Sequence, residues 1–260
     1  MKKPQVIVTR PAEDADAWVD ALAARGFDVT ALPLIAIGPA PDASALRTAW
    51  QALPRYRAAM FVSANAVRGF FAARGDAPWP PGVRAWAPGP GTAAALEEAG
   101  PSTLGIDRPP AGAGRFDSEA LWAVVAPQIG PGDRVLVVRG SGAGASSPLG
   151  SGRDWLAARI AEAGGTTDFA LAYRRGAPVF DARQRQRAVA AAGDGSIWLF
   201  SSSEAVAHLC AALPGAGWQA ARAVATHPRI AEAARAAGFG EVQLSKPGIG
   251  DVAASIESRR

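Results

Sequence analysis

The chain is nearly without cysteine: Cys210 is the one thiol in 260 residues. A single cysteine excludes an intrachain disulfide, and with it the small stapled scaffolds, and fits a reducing compartment. Histidine is almost as scarce, with only His208 and His227. Two scattered histidines and one thiol leave no metal-ligating cluster, so no metal site is expected. Long apolar runs are missing too. After Lys2 and Lys3 the apolar stretch covers only Val6–Val8, too short for a signal-peptide core. Nothing approaches the roughly 18 residues of a membrane helix. The expectation is a cytoplasmic protein with no membrane contact. Acid is slightly short of base, 23 Asp and Glu against 27 Lys and Arg, for a net charge of +4. The basic residues are dispersed and never interleaved with aromatics, which speaks against nucleic acid as a partner. Dispersed arginine suits a solvated surface; it also suits a polycarboxylate ligand.

Catalytic signatures are also few. There is no G-x-S-x-G around any serine, and no glycine turn continues into Gly-Lys-Ser/Thr. Gly140-Ser-Gly142-Ala-Gly144-Ala145 and Gly89-Pro-Gly91-Thr-Ala-Ala94 fit G-x-G-x-x-A, a weak pattern in a chain with 29 glycines. The first runs on into Ser/Gly loop rather than helix, so a nucleotide cofactor is not expected.

What is present is repetition. Val83–Gly100 aligns with Ala221–Gly238 without a gap at an offset of 138 residues (221 − 83), and Phe61–Val67 resembles Phe200–Val206. The length fits two domains of about 130 residues each. The composition, 49% apolar and 19% charged, is that of a chain with a substantial core. Two related domains offer a cleft for a small molecule.

Short apolar runs alternate with Ala-rich helical ones. Strands are expected at Val6–Thr9, Val29–Ile37, Ala59–Ser63, Val83–Ala87, Val135–Val138, Thr167–Tyr173, Ile197–Ser201, Ala223–Thr226 and Val242–Leu244. Gly26, Gly100, Gly164 and Gly238 read as left-handed helix caps, and Pro11, Pro90 and Pro228 as first helical residues. The fold class is therefore α/β: two similar parallel-sheet domains with helices on both faces. The proline-bearing stretch 33–41 and its counterpart 172–178 read as a two-stranded extended linker. If both cross, one domain holds 1–34 with 179–260, the other 42–169, with linker strands 35–41 and 170–178. The alternative is two consecutive domains divided near Gly130–Gly132. A nine-residue length difference places a Gly/Ser-rich insert at Ser141–Gly152, read as a mobile loop.

In parallel sheets ligands bind at the carboxyl ends of strands, where helix N-termini favour anions. Arg10 and Arg139 are matching residues after the first strand of each repeat, suited to pairing a carboxylate. Ser63 and Ser201–Ser202 put hydroxyls at strand ends, where they serve either to hydrogen-bond a carboxylate beside free backbone N–H groups or as ordinary helix caps; their recurrence in both repeats leaves the two readings even. His227 lies in such a turn, whereas His208 sits in an apolar helix. Tyr173, one of two tyrosines, falls in the expected linker.

In this order, Val8-Thr9-Arg10-Pro11, Pro33-Leu34-Ile35, Ser63-Ala-Asn65-Ala-Val67, Gly89-Pro90-Gly91-Thr92, Arg139-Gly140, Tyr173-Arg174-Arg175 and Ser201-Ser202 resemble the landmarks of the uroporphyrinogen-III synthases. The resemblance spans nearly the whole chain and implies the exchanged domain arrangement. It implies a lyase that closes linear hydroxymethylbilane to uroporphyrinogen III, losing water and inverting the last pyrrole ring, in the cleft between two domains. A monomer is expected, because nothing in the sequence suggests a coiled coil or a long apolar seam. A spiro intermediate is the usual proposal. The substrate is a linear tetrapyrrole rich in carboxylates, and no cofactor is implied. The resemblance marks Tyr173 as the group assisting the leaving hydroxyl. Thr9, Arg10, Ser63, Asn65, Gly89, Thr92, Arg139, Gly140, Ser201, Ser202 and His227 become substrate-binding candidates. The rival reading is a non-catalytic two-domain binder of an anionic metabolite.

Overall fold

A computed structural model of the protein describes residues 4–113, 115–142 and 151–258. The chain divides into two units, one of residues 1–36 with 176–260 and one of residues 37–175. In order come β1 (Gln5–Val8), α1 (Ala12–Ala23), β2 (Asp28–Ala31), β3 (Ala36–Gly38), α2 (Ala43–Gln51), β4 (Ala58–Phe61), α3 (Ala64–Ala72), β5 (Arg84–Trp86), α4 (Pro90–Ala99) and β6 (Ile106–Asp107). There follow α5 (Ser118–Val125), β7 (Arg134–Ser141), α6 (Ser151–Glu162), β8 (Thr166–Gly176), α7 (Ala182–Ala191), β9 (Ile197–Phe200), α8 (Ser203–Ala212), β10 (Arg222–Ala225), α9 (Pro228–Ala236), β11 (Glu241–Leu244) and α10 (Ile249–Glu257).

The first unit is built on a five-stranded sheet in the order β11-β10-β9-β1-β2, parallel throughout. Its strands are apolar on both faces, as a sheet covered on both sides demands. Alternation divides the side chains between two cores. Val6, Val8, Ile197, Leu199 and Val224 pack with Leu22 of α1 and Ile256 of α10. Trp198 and Phe200 point to the opposite face and meet Trp218 and Phe239.

The second unit carries a six-stranded sheet ordered β3-β8-β7-β4-β5-β6. The pairs β4–β5, β4–β7, β5–β6 and β7–β8 are parallel. Ala59, Phe61, Leu136 and Val138 face a core that includes Trp50 and Phe70, while Ala58, Met60, Val135 and Val137 face another that includes Leu121 and Ile160. Two α/β units with helices on both faces of parallel sheets are thus present.

Local expectations hold where backbone chemistry is simple and shift where a neighbour intervenes. Gly26, Gly164 and Gly238 do adopt positive φ, at 79°, 87° and 94°. Gly100 does not: it is extended at φ −89°, ψ 168°, because Pro101 follows and crowds the helical region of the residue before it. Pro90 and Pro228 open their helices, but Pro11 is one residue early and stands as the cap of α1. The run read as one strand over Val29–Ile37 is two short strands; Pro33 between them has no N–H to give a ladder. The short edge strand β6 has no counterpart among the expected strands. Tyr173 lies inside the eleven-residue strand β8, which runs on through Gly176 beyond the expected strand end at Tyr173. The Gly/Ser-rich insert lies largely outside the described residues, at 143–150, as does the second half of the first glycine pattern. Among the described residues no helix is long and apolar enough to cross a membrane.

Candidate functional site

Each sheet changes its direction of growth once, and at such a point the loops leaving two adjacent strands diverge and open a crevice at the carboxyl ends. In the first unit β1 is followed by β2 on one side, while β9, β10 and β11 proceed on the other. The crevice therefore opens between the ends of β1 and β9. Thr9 and Arg10 follow β1, and Ser201 and Ser202 follow β9. His227 follows β10, the next strand over. In the second unit the same reasoning selects β4 and β7. Ser63 and Asn65 follow β4, Arg139 and Gly140 end β7, and Gly89 and Thr92 follow β5. The candidates thus gather at one edge of each sheet.

Their surroundings separate them. Thr9 is 1% exposed and its hydroxyl donates to the Leu199 carbonyl at 2.6 Å, extending the β1–β9 ladder by one rung; its side chain works within the sheet. Arg10 stacks its guanidinium 4.2 Å from the Trp18 ring centre. Burial lowers its pKa below the ordinary arginine value, and the Asp14 carboxylate acts the other way; it remains a cation at any working pH. Arg139 is 3% exposed and lies 4.4 Å over Phe169. The two matched arginines therefore differ: Arg10 is half-buried at the edge and Arg139 is packed into the fold.

The helix starts differ as well. Ser63 caps α3 by accepting from the Ala66 N–H at 3.2 Å, and Ser202 caps α8 by accepting from the Glu204 N–H at 3.1 Å. His227 caps α9 through Nδ1, which accepts from the Arg229 N–H at 3.2 Å, so the neutral ring carries its proton on Nε2. Gly89 opens α4 with no side chain to cap it. The first turns of α1 and α8 already hold acids, Glu13 and Asp14 in one and Glu204 in the other. Those of α3, α4 and α9 hold none. A helix N-terminus carries roughly half a positive charge, which acidic residues in its first turn offset. The anion-receptive starts are therefore those of α3, α4 and α9. Asn65 accepts from Arg68 Nη1 at 2.8 Å, and Thr92 is buried in the first turn of α4.

The closest assembly is built around Tyr173. Pairing between β7 and β8 runs in register to Arg139 opposite Leu171, then jumps to Gly140 opposite Tyr173, leaving Ala172 as an extra residue. Such a bulge re-aims the side chain that follows it. Two glycines permit the arrangement. The backbone of Gly69 in α3 lies against the carbonyl of Ala172, and the Tyr173 ring lies flat on Gly140, where a Cβ would stand 2.5 Å from Cε2. The ring is 7% exposed, and its hydroxyl meets Ser63 Oγ at 3.1 Å. Composition and repeat pattern gave no sign of this role for Gly69; its signal in the sequence is a glycine in the interior of a helix, which commonly marks close packing. Gly140→Ala is expected to displace the ring and cost about 1–3 kcal/mol of stability. A variant with an unchanged melting temperature would show that the ring yields freely.

Outside these edges, Cys210 is partly covered and burial pushes its thiol pKa up, so no reactive thiolate stands there. His208 binds the Leu34 carbonyl through Nδ1 at 2.7 Å, holding the chain as it leaves the first unit's sheet.

The family model described as uroporphyrinogen-III synthase HemD matches residues 16–254 of this chain. Among solved structures, the uroporphyrinogen-III synthetase of Helicobacter pylori is similar at a TM-score of 0.60 and 14% identity, over 100% of both chains. A mutant uroporphyrinogen III synthase from the extremely thermophilic bacterium Thermus thermophilus is similar at a TM-score of 0.53 and 18% identity, over 98% of both chains. At these identities the structural likeness speaks for the fold; the family match speaks for descent.

Proposed function

The chain belongs to the uroporphyrinogen-III synthase family, and on that premise we propose that it closes hydroxymethylbilane to uroporphyrinogen III with the residues gathered at its two sheet edges. The observation that carries the reading is the family match over residues 16–254. It favours the cyclase over a non-catalytic binder of anionic metabolites.

The chemistry asks for two things. The open tetrapyrrole closes by itself to the uninverted isomer, so the protein must hold the last ring in the geometry that leads to inversion. It must also help the hydroxyl of the hydroxymethyl group depart. Tyr173 is the donor for that step. Its O–H gives a proton to the leaving oxygen as the carbon–oxygen bond breaks, and water departs. The pyrrole cation left behind is attacked by a ring carbon of the same chain. The proton that the reacted ring system sheds on recovering its aromatic state balances the one Tyr173 gave.

Carboxylates are held by what the edges offer: the N-termini of α3, α4 and α9, the Nε2–H of His227, the Ser201 and Ser202 turn, and the Arg10 cation. Gly89 and Thr92 admit an anion to the uncapped start of α4, and Asn65 and Arg139 shape the second unit's edge. Thr9 is left out of this set because its hydroxyl is engaged with Leu199. The enzyme acts in the cytoplasm as a monomer, with a linear tetrapyrrole as its partner.

The test is a coupled assay in which hydroxymethylbilane is generated in situ and the oxidised products are separated by chromatography. Addition of the protein is expected to turn the product from the type I to the type III isomer. Folded protein that leaves type I product unchanged would transfer the weight to the anionic-metabolite binder.

A further inference from the structure

We propose that Ser63 is a positioning residue for the cyclisation, which donates its hydroxyl proton to Tyr173 and thereby leaves the tyrosine proton for the substrate. The inference rests on the reading of Tyr173 as the proton donor, and it assigns Ser63 a role other than gripping a carboxylate.

A serine hydroxyl has one proton and two lone pairs. One lone pair of Ser63 Oγ is engaged by the Ala66 N–H at the start of α3, at 3.2 Å. The other polar atom at Oγ is the Tyr173 hydroxyl, 3.1 Å away. Among the described residues it is the acceptor within reach of the Ser63 proton. The cap holds Oγ in place at the start of α3, within hydrogen-bond reach of the Tyr173 hydroxyl. The contact admits either direction, and the direction proposed is the one that leaves the tyrosine proton for the substrate. With Ser63 donating, the tyrosine proton points away from α3.

The arrangement supplies a second effect during the reaction. As Tyr173 gives its proton to the departing hydroxyl, negative charge grows on Oη. The Ser63 O–H already points at that oxygen, and the N-terminus of α3 stands behind it without an acid in its first turn. The interaction therefore strengthens along the reaction, which is the condition for raising kcat rather than lowering KM. Three packing features keep the pair in register: the bulge at Ala172, the close approach of Gly69 to it, and the Gly140 floor under the ring. Ser63 touches the tyrosine and not the reacting atoms, so its effect passes wholly through Tyr173.

The experiment is a double-mutant cycle with Ser63→Ala, Ser63→Thr and Tyr173→Phe in the coupled assay. Ser63→Ala is expected to lower kcat about tenfold with a much smaller change in KM, as loss of an interaction made in the transition state does. Ser63→Thr, which keeps the hydroxyl and the cap, restores most of the rate. In the Tyr173→Phe background, Ser63→Ala has no further effect on kcat. A serine that only caps α3 would lower the rate equally in both backgrounds, and that outcome overturns the proposal, as does a Ser63→Ala kcat within twofold of the parent. A readout that needs no substrate accompanies it. The 13C signal of the tyrosine ring carbon bearing the hydroxyl is simple to assign, because only Tyr56 and Tyr173 exist. The Tyr173 signal should move on Ser63→Ala and return with Ser63→Thr; an unmoved signal sinks the pairing. A parent protein that yields type I product while this signal responds would count against the cyclase reading and leave the pair standing.

Discussion

Replacing Tyr173 with Phe is expected to lower the rate of type III formation by about 100-fold while leaving the protein folded. The substitution removes one oxygen. The ring keeps its place on Gly140 and its 7% exposure, so packing is retained. The lost hydrogen bond to Ser63 is worth about 1 kcal/mol. On the role proposed for Tyr173, what disappears is the proton for the leaving hydroxyl, and a positioned acid of this kind contributes about 10²–10⁴-fold. The lower end applies because the hydroxyl leaves a pyrrole-stabilised cation with help from solvent. KM should change little, since the groups proposed to hold the carboxylates are left in place. Because uncatalysed closure continues beside the slowed enzyme, the product mixture should drift toward type I as enzyme is diluted, which the parent enzyme would resist. Turnover equal to the parent's would remove Tyr173 from the chemistry and leave the ring as a packing element.

How far the sequence disclosed this arrangement depends on the range of the interaction concerned. The alternation of apolar strands with Ala-rich helices made the parallel α/β class legible, because a two-faced sheet needs continuous apolar runs such as Ile197–Phe200. Single-residue signals were legible where one backbone rule acts alone, as at the left-handed Gly26 and Gly238. They failed where two rules compete, as at Gly100, which Pro101 pulls into the extended region. Candidate site residues could be located as positions after strands, but their neighbours could not. That Thr9 turns its hydroxyl to a carbonyl 190 residues away, or that Ser63 meets Tyr173 across 110 residues, is a matter of tertiary register. The bulge at Ala172 is invisible to periodicity, because an inserted residue on one strand shows only against its partner. The matched arginines are the instructive case: equivalent in the repeat, yet one is half-buried at the edge and the other is packed over Phe169.

Trp198→Ala should be the most destabilising single truncation in the first unit, at about 4 kcal/mol. Trp198 is fully buried in the central strand β9, and its ring stacks on Phe200 at 6.1 Å and meets Trp218 edge-on at 5.6 Å. Phe239 closes the cluster, 6.4 Å from Trp198 and 5.2 Å from Trp218. Truncating a buried tryptophan leaves a cavity worth about 3–5 kcal/mol, and surrounding rings cannot collapse into it without abandoning their own stacks. The indole N–H also donates to the Ala191 carbonyl at 3.1 Å at the end of α7, and removing it strands a buried acceptor. Hydrogen exchange followed strand by strand is the measurement. Protection in β1, β9 and β10 should fall by about 10³-fold, each 1.4 kcal/mol being tenfold. β4 and β7 belong to a different sheet with separate cores and serve as the internal reference. If protection in β4 and β7 falls equally, the two sheets unfold as one cooperative block and Trp198 is not the centre of a separately stable unit. If β9 alone loses protection, the aromatic cluster anchors one strand rather than the sheet. Loss confined to β1, β9 and β10 places the stability of the edge bearing Arg10, Ser202 and His227 on four aromatic rings, and ties the first unit's proposed binding groups to its own core.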